Sequence, residues 1–113
     1  MHELSITQGV VEAVTERTGS ATVVSVRLRV GRLSGVVPDA MRFCFELVTA
    51  GTPLEGAVLE IERPEGRGAC RTCGAEFALP DLVLLCRCGS ADVEVLAGRE
   101  LAVSSVVLGG EAA

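Results

Sequence analysis

Apolar residues recur along the first stretch of the chain at the spacing of an α-helix. Between residues 3 and about 17, Ile6, Val10, Ala13 and Val14 fall on one face. Ser5 and Gln8 stand at capping-box spacing and Gly19 is a stop signal, which predicts a first helix. From Ala21 to Gly31 the period changes to two. Val24, Val26, Leu28 and Val30 alternate with Ser25, Arg27 and Arg29, the pattern of a β-branched strand with one buried face. After a loop from Gly31 to Pro38, Pro38 suits the first turn of a second helix. Met41, Cys44, Phe45 and Val48 then share one side until Gly51 ends it. Ala57 to Glu62 alternates again, with Val58 and Glu60 opposed to Leu59 and Ile61. Strand patterning returns at Val93 to Leu96 and at Glu100 to Leu108, and the last segment is expected to rejoin the main sheet.

Between these strand signals lies a different kind of sequence. Four of the five cysteines occur as Cys70-Arg-Thr-Cys73 and Cys86-Arg-Cys88, and each pair is followed by a glycine, Gly74 or Gly89. A metal knuckle turns sharply after its second ligand, where a positive φ costs glycine little. Paired thiolates so spaced predict a tetrahedral structural zinc site, with a rubredoxin-type iron centre as the metal alternative and disulfides as the non-metal one. The second arm has one intervening residue rather than the usual two, so its backbone must turn more sharply. The start Met-His-Glu shows no secretory leader pattern, so a cytoplasmic location is expected, and a reducing cytosol favours metal over disulfides.

With this module included, the pattern predicts an α+β fold: two helices packed on a small mixed β-sheet, with an inserted zinc-ribbon-like module. Residues 1–63 plus 98–113 form the core in this reading, and residues 64–97 the metal module. At 113 residues the chain is near the size where a metal staple adds needed stability. No apolar run is long enough to span a bilayer. The net charge of −5, a pI near 4.8 and only three aromatic residues, Phe43, Phe45 and Phe77, argue against a nucleic-acid surface. All ten basic residues are arginine, which implies no function by itself.

The second chemically loaded place is the N-terminus, where the single histidine follows Met1. Its bulk is expected to block removal of the methionine, which keeps the amine beside the imidazole. The Met1 amine, the His2 backbone nitrogen and the His2 ring can form fused chelate rings, with Glu3 adding a backbone nitrogen or its carboxylate. Such nitrogen-rich, flat coordination suits Ni(II) or Cu(II) better than zinc. The bland alternative is an exposed terminus of no importance, and the nearby start of the first helix weighs against it.

Three segments together, Met1-His2-Glu3-Leu4-Ser5, Arg42-Phe43-Cys44-Phe45-Glu46-Leu47-Val48 and the cysteine pairs ending Cys88-Gly89-Ser90, resemble the HypA/HybF family over nearly the whole chain. The resemblance implies a nickel metallochaperone for [NiFe]-hydrogenase maturation. On it, Met1, His2 and Glu3 carry nickel, with His2 the principal ligand, while Cys70, Cys73, Cys86 and Cys88 hold structural zinc. It also implies docking on a HypB-type nickel GTPase and delivery to the hydrogenase large-subunit precursor by a monomer or weak homodimer, with urease supply as a further possibility. No membrane, nucleic acid or catalytic role is implied. Some members have a nickel-linked carboxylate in the loop before the second helix; here Val37 takes that place, and Asp39 is a weak candidate two residues on. Cys44 is expected in the core, Asp39 at a cap or in solvent, and Arg27, Arg29 and Arg32 on a charged strand face. The rival to nickel transfer is a zinc-ribbon adaptor that only binds proteins. An enzyme is poorly supported, because a closed four-cysteine site leaves no open metal position and no evident base.

Overall fold

A computed structural model describes residues 3–109. Helix α1 runs from Glu3 to Thr18 and buries Thr7, Val10, Val11 and Val14; of the expected face Val10 and Val14 are buried, Ile6 is half-buried and Ala13 is exposed, so the buried stripe is turned toward Thr7 and Val11. Its start corrects the expected capping box: Ser5 lies inside the first turn, and an N-cap residue must stand outside the helix. Gly19 N donates to Thr15 O at 2.8 Å and closes the C-terminal end as expected. Helix α2, Pro38–Thr49, begins with Pro38 at its first turn, where a missing N–H costs nothing. It packs on α1 and buries Met41, Phe45 and Thr49. Cys44 and Val48 stand beside that stripe and are only partly buried, so Cys44 is a half-covered thiol rather than a core one.

Strands β1 (Val23–Val30), β2 (Val58–Glu62) and β6 (Leu101–Leu108) form one sheet in the order β2-β1-β6, so the last strand does return to the first. In β1 the expected alternation holds for Val26, Leu28 and Val30. It slips at the start, where Val23 is buried and Val24 is 48% exposed. In β2, Leu59 is buried and Glu60 exposed, as the pattern requires. Arg27 meets Glu60 at 2.9 Å and Arg29 meets Glu62 at 3.8 Å, which accounts for two of the arginines as ordinary cross-strand pairs. The third, Arg32, donates through Nε to Arg63 O.

A second antiparallel sheet has the order β4-β3-β5, from Gly66–Cys70 (β3), Glu76–Leu79 (β4) and Val93–Ala97 (β5). Only β5 is visible in the sequence. β3 carries Gly66 and Gly68, poor strand formers, yet the packing requires them. A Cβ on Gly68 would sit 2.8 Å from Leu79 Cδ1 and 2.9 Å from Val93 Cγ1, both on buried residues. Gly68→Ala is therefore expected to destabilise this sheet by about 1–3 kcal/mol through overpacking, read as a lower denaturant midpoint with zinc content unchanged.

The chain forms two compact units. One takes residues up to Leu28, Val36–Ile61 and the chain from Ala102 onward; the other takes Arg29–Gly35 and Glu62–Leu101. The second unit is thus wider than residues 64–97, because Leu33 from the early loop is buried in its core with Cys70, Leu79, Cys86 and Val93. Leu33 N donates to Gly98 O at 2.7 Å and Arg32 N to Pro64 O at 3.0 Å, which fastens that loop to the unit.

Candidate metal centre

Two knuckles build the site. The first caps the β3–β4 hairpin: Cys70 ends β3, Cys70 N donates to Ala75 O at 2.8 Å, and Gly74 N donates to Cys70 O at 2.9 Å. The second lies between β4 and β5, where Cys86 N donates to Ser90 O and Gly89 N to Cys86 O, both at 2.9 Å. Gly74 and Gly89 adopt φ of 81° and 95°, the left-handed turns that the two glycines foretell. The shortened arm closes through a bond spanning three residues where the full arm spans four, so one missing residue makes a tighter turn and the ligands still converge.

All four sulfurs lie within 4.8 Å of one another. Cys70 Sγ is 3.7 Å from Cys88 Sγ, and Cys73 Sγ is 3.6 Å from Cys86 Sγ. A zinc ion bound tetrahedrally at about 2.3 Å from each sulfur sets neighbouring sulfurs about 3.8 Å apart, so the cage fits zinc. Disulfides do not describe it, since these sulfur separations are far beyond the covalent bond of about 2.05 Å. Cys70 and Cys86 are buried while Cys73 and Cys88 face solvent, which places one inner and one outer ligand on each knuckle.

The thiols do not share one acidity. The backbone N–H of Cys73, 3.4 Å from Cys70 Sγ, is the chief cause that brings the Cys70 pKa down to about 6, against partial desolvation. Cys73 is pushed up: the N–H of Ala75 favours its thiolate, but the neighbouring Cys86 and Cys70 thiols together with desolvation outweigh it. Cys88 rises to about 11, because Cys86, desolvation, Cys70 and Cys73 overcome the help of the Ser90 N–H. Crowded sulfurs resist successive ionisation, and a divalent cation among them reverses that preference.

Contacts outside the ligands tie the knuckles together. Arg71 N donates to Asp92 O at 2.9 Å, and the Arg71 guanidinium meets the Asp92 carboxylate at 2.8 Å. Thr72 Oγ1 and Ser90 Oγ lie 2.8 Å apart. None of these partners carries a spacing signature, so the sequence alone did not reveal them.

At the other candidate site, Met1 and His2 lie outside the described residues. Glu3 opens α1, and its Oε2 accepts the backbone N–H of Val37 at 3.0 Å. The side chain of Thr7 donates back to Glu3 O at 2.6 Å. Asp39 sits within α2 rather than at its cap, which is Val37. Its carboxylate is 98% exposed and contacts Arg42 at 3.4 Å. Among the described residues, Cys70, Cys73, Cys86 and Cys88 are the one group of side chains able to hold a metal ion. No helix among those residues is long and apolar enough to cross a membrane.

Comparison with known proteins places this geometry in context. Residues 1–108 match the family model for HypA, described as hydrogenase/urease nickel incorporation, metallochaperone. A hydrogenase maturation factor HypA of Geotalea uraniireducens is 52% identical over 107 residues, covering 94% of this chain and 97% of that one. The HypA of Nostoc punctiforme is 46% identical over 106 residues, 94% of each chain. The fold matches the solution structure of the Ni metallochaperone HypA from Helicobacter pylori with a TM-score of 0.68 at 21% identity, covering 98% of this chain and all of that one.

Proposed function

From the chain's membership of the HypA family of hydrogenase/urease nickel-incorporation metallochaperones, we propose that it carries Ni(II) as cargo on Met1, His2 and Glu3 and holds zinc structurally on Cys70, Cys73, Cys86 and Cys88. The observation that carries the reading is the family match over residues 1–108, which spans the terminal histidine and both cysteine pairs at once. The metal centre supports the zinc half, because its sulfur cage has the size of a zinc tetrahedron.

The chemistry divides the two metals. Four thiolates, two of them buried, bind a resident ion tightly and leave no open position. An amine, a backbone nitrogen and an imidazole at a chain end suit Ni(II). Both the amine and the imidazole take up protons readily near neutral pH, so the cargo can leave for a partner's site. The work is transfer rather than turnover. The partners in this reading are a HypB-type nickel GTPase and the [NiFe]-hydrogenase large-subunit precursor, met in the cytoplasm by a monomer or weak homodimer.

A calorimetric Ni(II) titration of tag-free, zinc-loaded protein tests it. About one nickel ion is expected per chain, and His2→Ala is expected to weaken binding at least tenfold, a difference of about 1.4 kcal/mol or more, with zinc content intact. Equal binding by both proteins, or by neither, would replace this reading with that of a zinc-ribbon adaptor.

A further inference from the structure

We propose that the four cysteines of the metal centre are a site of oxidative modification, at which peroxide exchanges the ion for two disulfides that cross between the knuckles, Cys70 with Cys88 and Cys73 with Cys86. This inference rests on the zinc reading above. The sulfur contacts of 3.7 and 3.6 Å both run from one knuckle to the other. A disulfide sets its sulfurs about 2.05 Å apart, so each couple has about 1.6 Å to close, shared between two side chains. Pairing inside the second knuckle would instead close a ring over Arg87 alone, against the turn that Gly89 N fixes on Cys86 O at 2.9 Å. Each cross-knuckle couple also joins an exposed sulfur to a buried one, Cys88 to Cys70 and Cys73 to Cys86. The exposed member is where a small oxidant arrives, and the buried member lies against it, out of the oxidant's reach.

The chemistry takes two electrons from each couple. The Cys88 thiolate attacks a peroxide oxygen, the O–O bond breaks and hydroxide leaves, giving a sulfenic acid. The Cys70 thiolate then attacks that sulfur; the S–S bond forms, the S–O bond breaks and a second hydroxide leaves. Protons from solvent turn the two hydroxides into water. Cys73 and Cys86 repeat the sequence with a second peroxide, after which no thiolate remains to hold the ion. Arg71 N to Asp92 O at 2.9 Å, the Arg71–Asp92 ion pair at 2.8 Å and the Thr72 and Ser90 hydroxyls at 2.8 Å do not pass through the ion, and they keep the couples opposed during the exchange. The new cross-links join positions 18 and 13 residues apart at the place the metal occupied, and each removes freedom from the unfolded chain. Peroxide therefore takes the metal without melting the second unit, the opposite of what a chelator does.

The full, zinc-loaded chain tests this without any substitution. Zinc content is measured first, excess hydrogen peroxide is added, and released zinc is read with a chromophoric chelator against an untreated control. Remaining thiols are then alkylated and the chain is digested with trypsin, which cuts after Arg67, Arg71, Arg87 and Arg99. Those cuts leave Cys70 in residues 68–71, Cys73 and Cys86 together in 72–87, and Cys88 in 88–99. Expected are loss of the zinc ion, a separate 72–87 fragment lighter by two hydrogens, and 68–71 joined to 88–99. Both other ways of pairing four sulfurs join all three fragments, and finding that assembly overturns the proposal. Sulfinic or sulfonic acids without disulfides, or zinc retained under peroxide, overturn it as well. In a nitrogen–proton correlation spectrum of the oxidised protein the amides of Gly68, Phe77 and Val93 should stay dispersed; their collapse overturns the exchange, since the disulfides then do not take the metal's place. Protein that holds no zinc before oxidation fails the zinc reading itself, and the inference falls with it.

Discussion

Stripping zinc with a chelator, or replacing Cys86 by serine, is expected to melt the second unit while the first stays folded. That unit has few other means of support. Its buried core is Leu33, Cys70, Leu79, Cys86 and Val93, and two of those five are the buried cysteines of the proposed zinc site. Phe77, Leu84 and Val95 pack against that core but are only partly buried, and Leu82, Val83 and Leu85, in the apolar run leading into the second knuckle, are 54–65% exposed and add little. Three buried aliphatic side chains contribute about 1.5–3 kcal/mol each, against about 10–16 kcal/mol for a structural zinc ion. The metal term is the larger, and β3 with its two glycines has little intrinsic tendency to remain a strand. In Cys86→Ser the hydroxyl also occupies a buried position shaped for sulfur, so the variant suffers a desolvation cost beside the lost ligand. The check is a nitrogen–proton correlation spectrum with and without chelator. The amides of Gly68, Phe77 and Val93 should collapse into the unfolded range, and those of Val14, Val26 and Phe45 should keep their dispersion. A second unit that stays dispersed without zinc would show that its five-residue core suffices.

What the sequence made legible follows from the range of each interaction. The knuckles could be read because ligand spacing and the glycine after each pair are local properties, and Gly74 and Gly89 take the left-handed conformation the turns need. The helices could be read because Val10, Val14, Met41 and Phe45 repeat within a few residues of one another. Strands β3 and β4 were hidden because Gly68 is chosen by Leu79 and Val93, residues that become its neighbours only after folding. Leu33 lies in what reads as a plain loop, and only the fold assigns it to the metal unit. The slip in β1, with Val23 inward and Val24 outward, is invisible in a run where either phase is apolar. The Glu3 to Val37 bond joins a side chain to a backbone amide 34 residues away, and a backbone donor leaves no trace in the residue type.

Acid is expected to strip the metal centre steeply. Lowering the pH from 8 to 6 should weaken zinc binding at least about a hundredfold per unit, because at least two thiols must lose a proton to zinc and each contributes about tenfold. The two are Cys73 and Cys88, both pushed above the ordinary thiol range, Cys88 to about 11, so both are protonated at neutral pH before metal arrives. Cys70, brought down to about 6, is already a thiolate there and joins the competition only below that pH, where the dependence should steepen further. These shifts belong to the folded second unit, so without metal they act only on the minor population in which that unit is still folded, on opposite sides of the ordinary value of 9.0. Cys70, with a lowered pKa, contributes stability that is full above 9.0 and is lost as pH falls toward about 6. Cys88, with a raised one, contributes stability that is full below 9.0 and is lost as pH climbs toward about 11. Competition against a chromophoric chelator from pH 8 to 5, with calorimetry in buffers of different ionisation enthalpy, reads both the slope and the protons released. Release of one proton or fewer per zinc ion at pH 7 would mean that the sulfurs are already ionised without metal. The crowding of four thiols within 4.8 Å would then be balanced by donors around the site rather than by the cation.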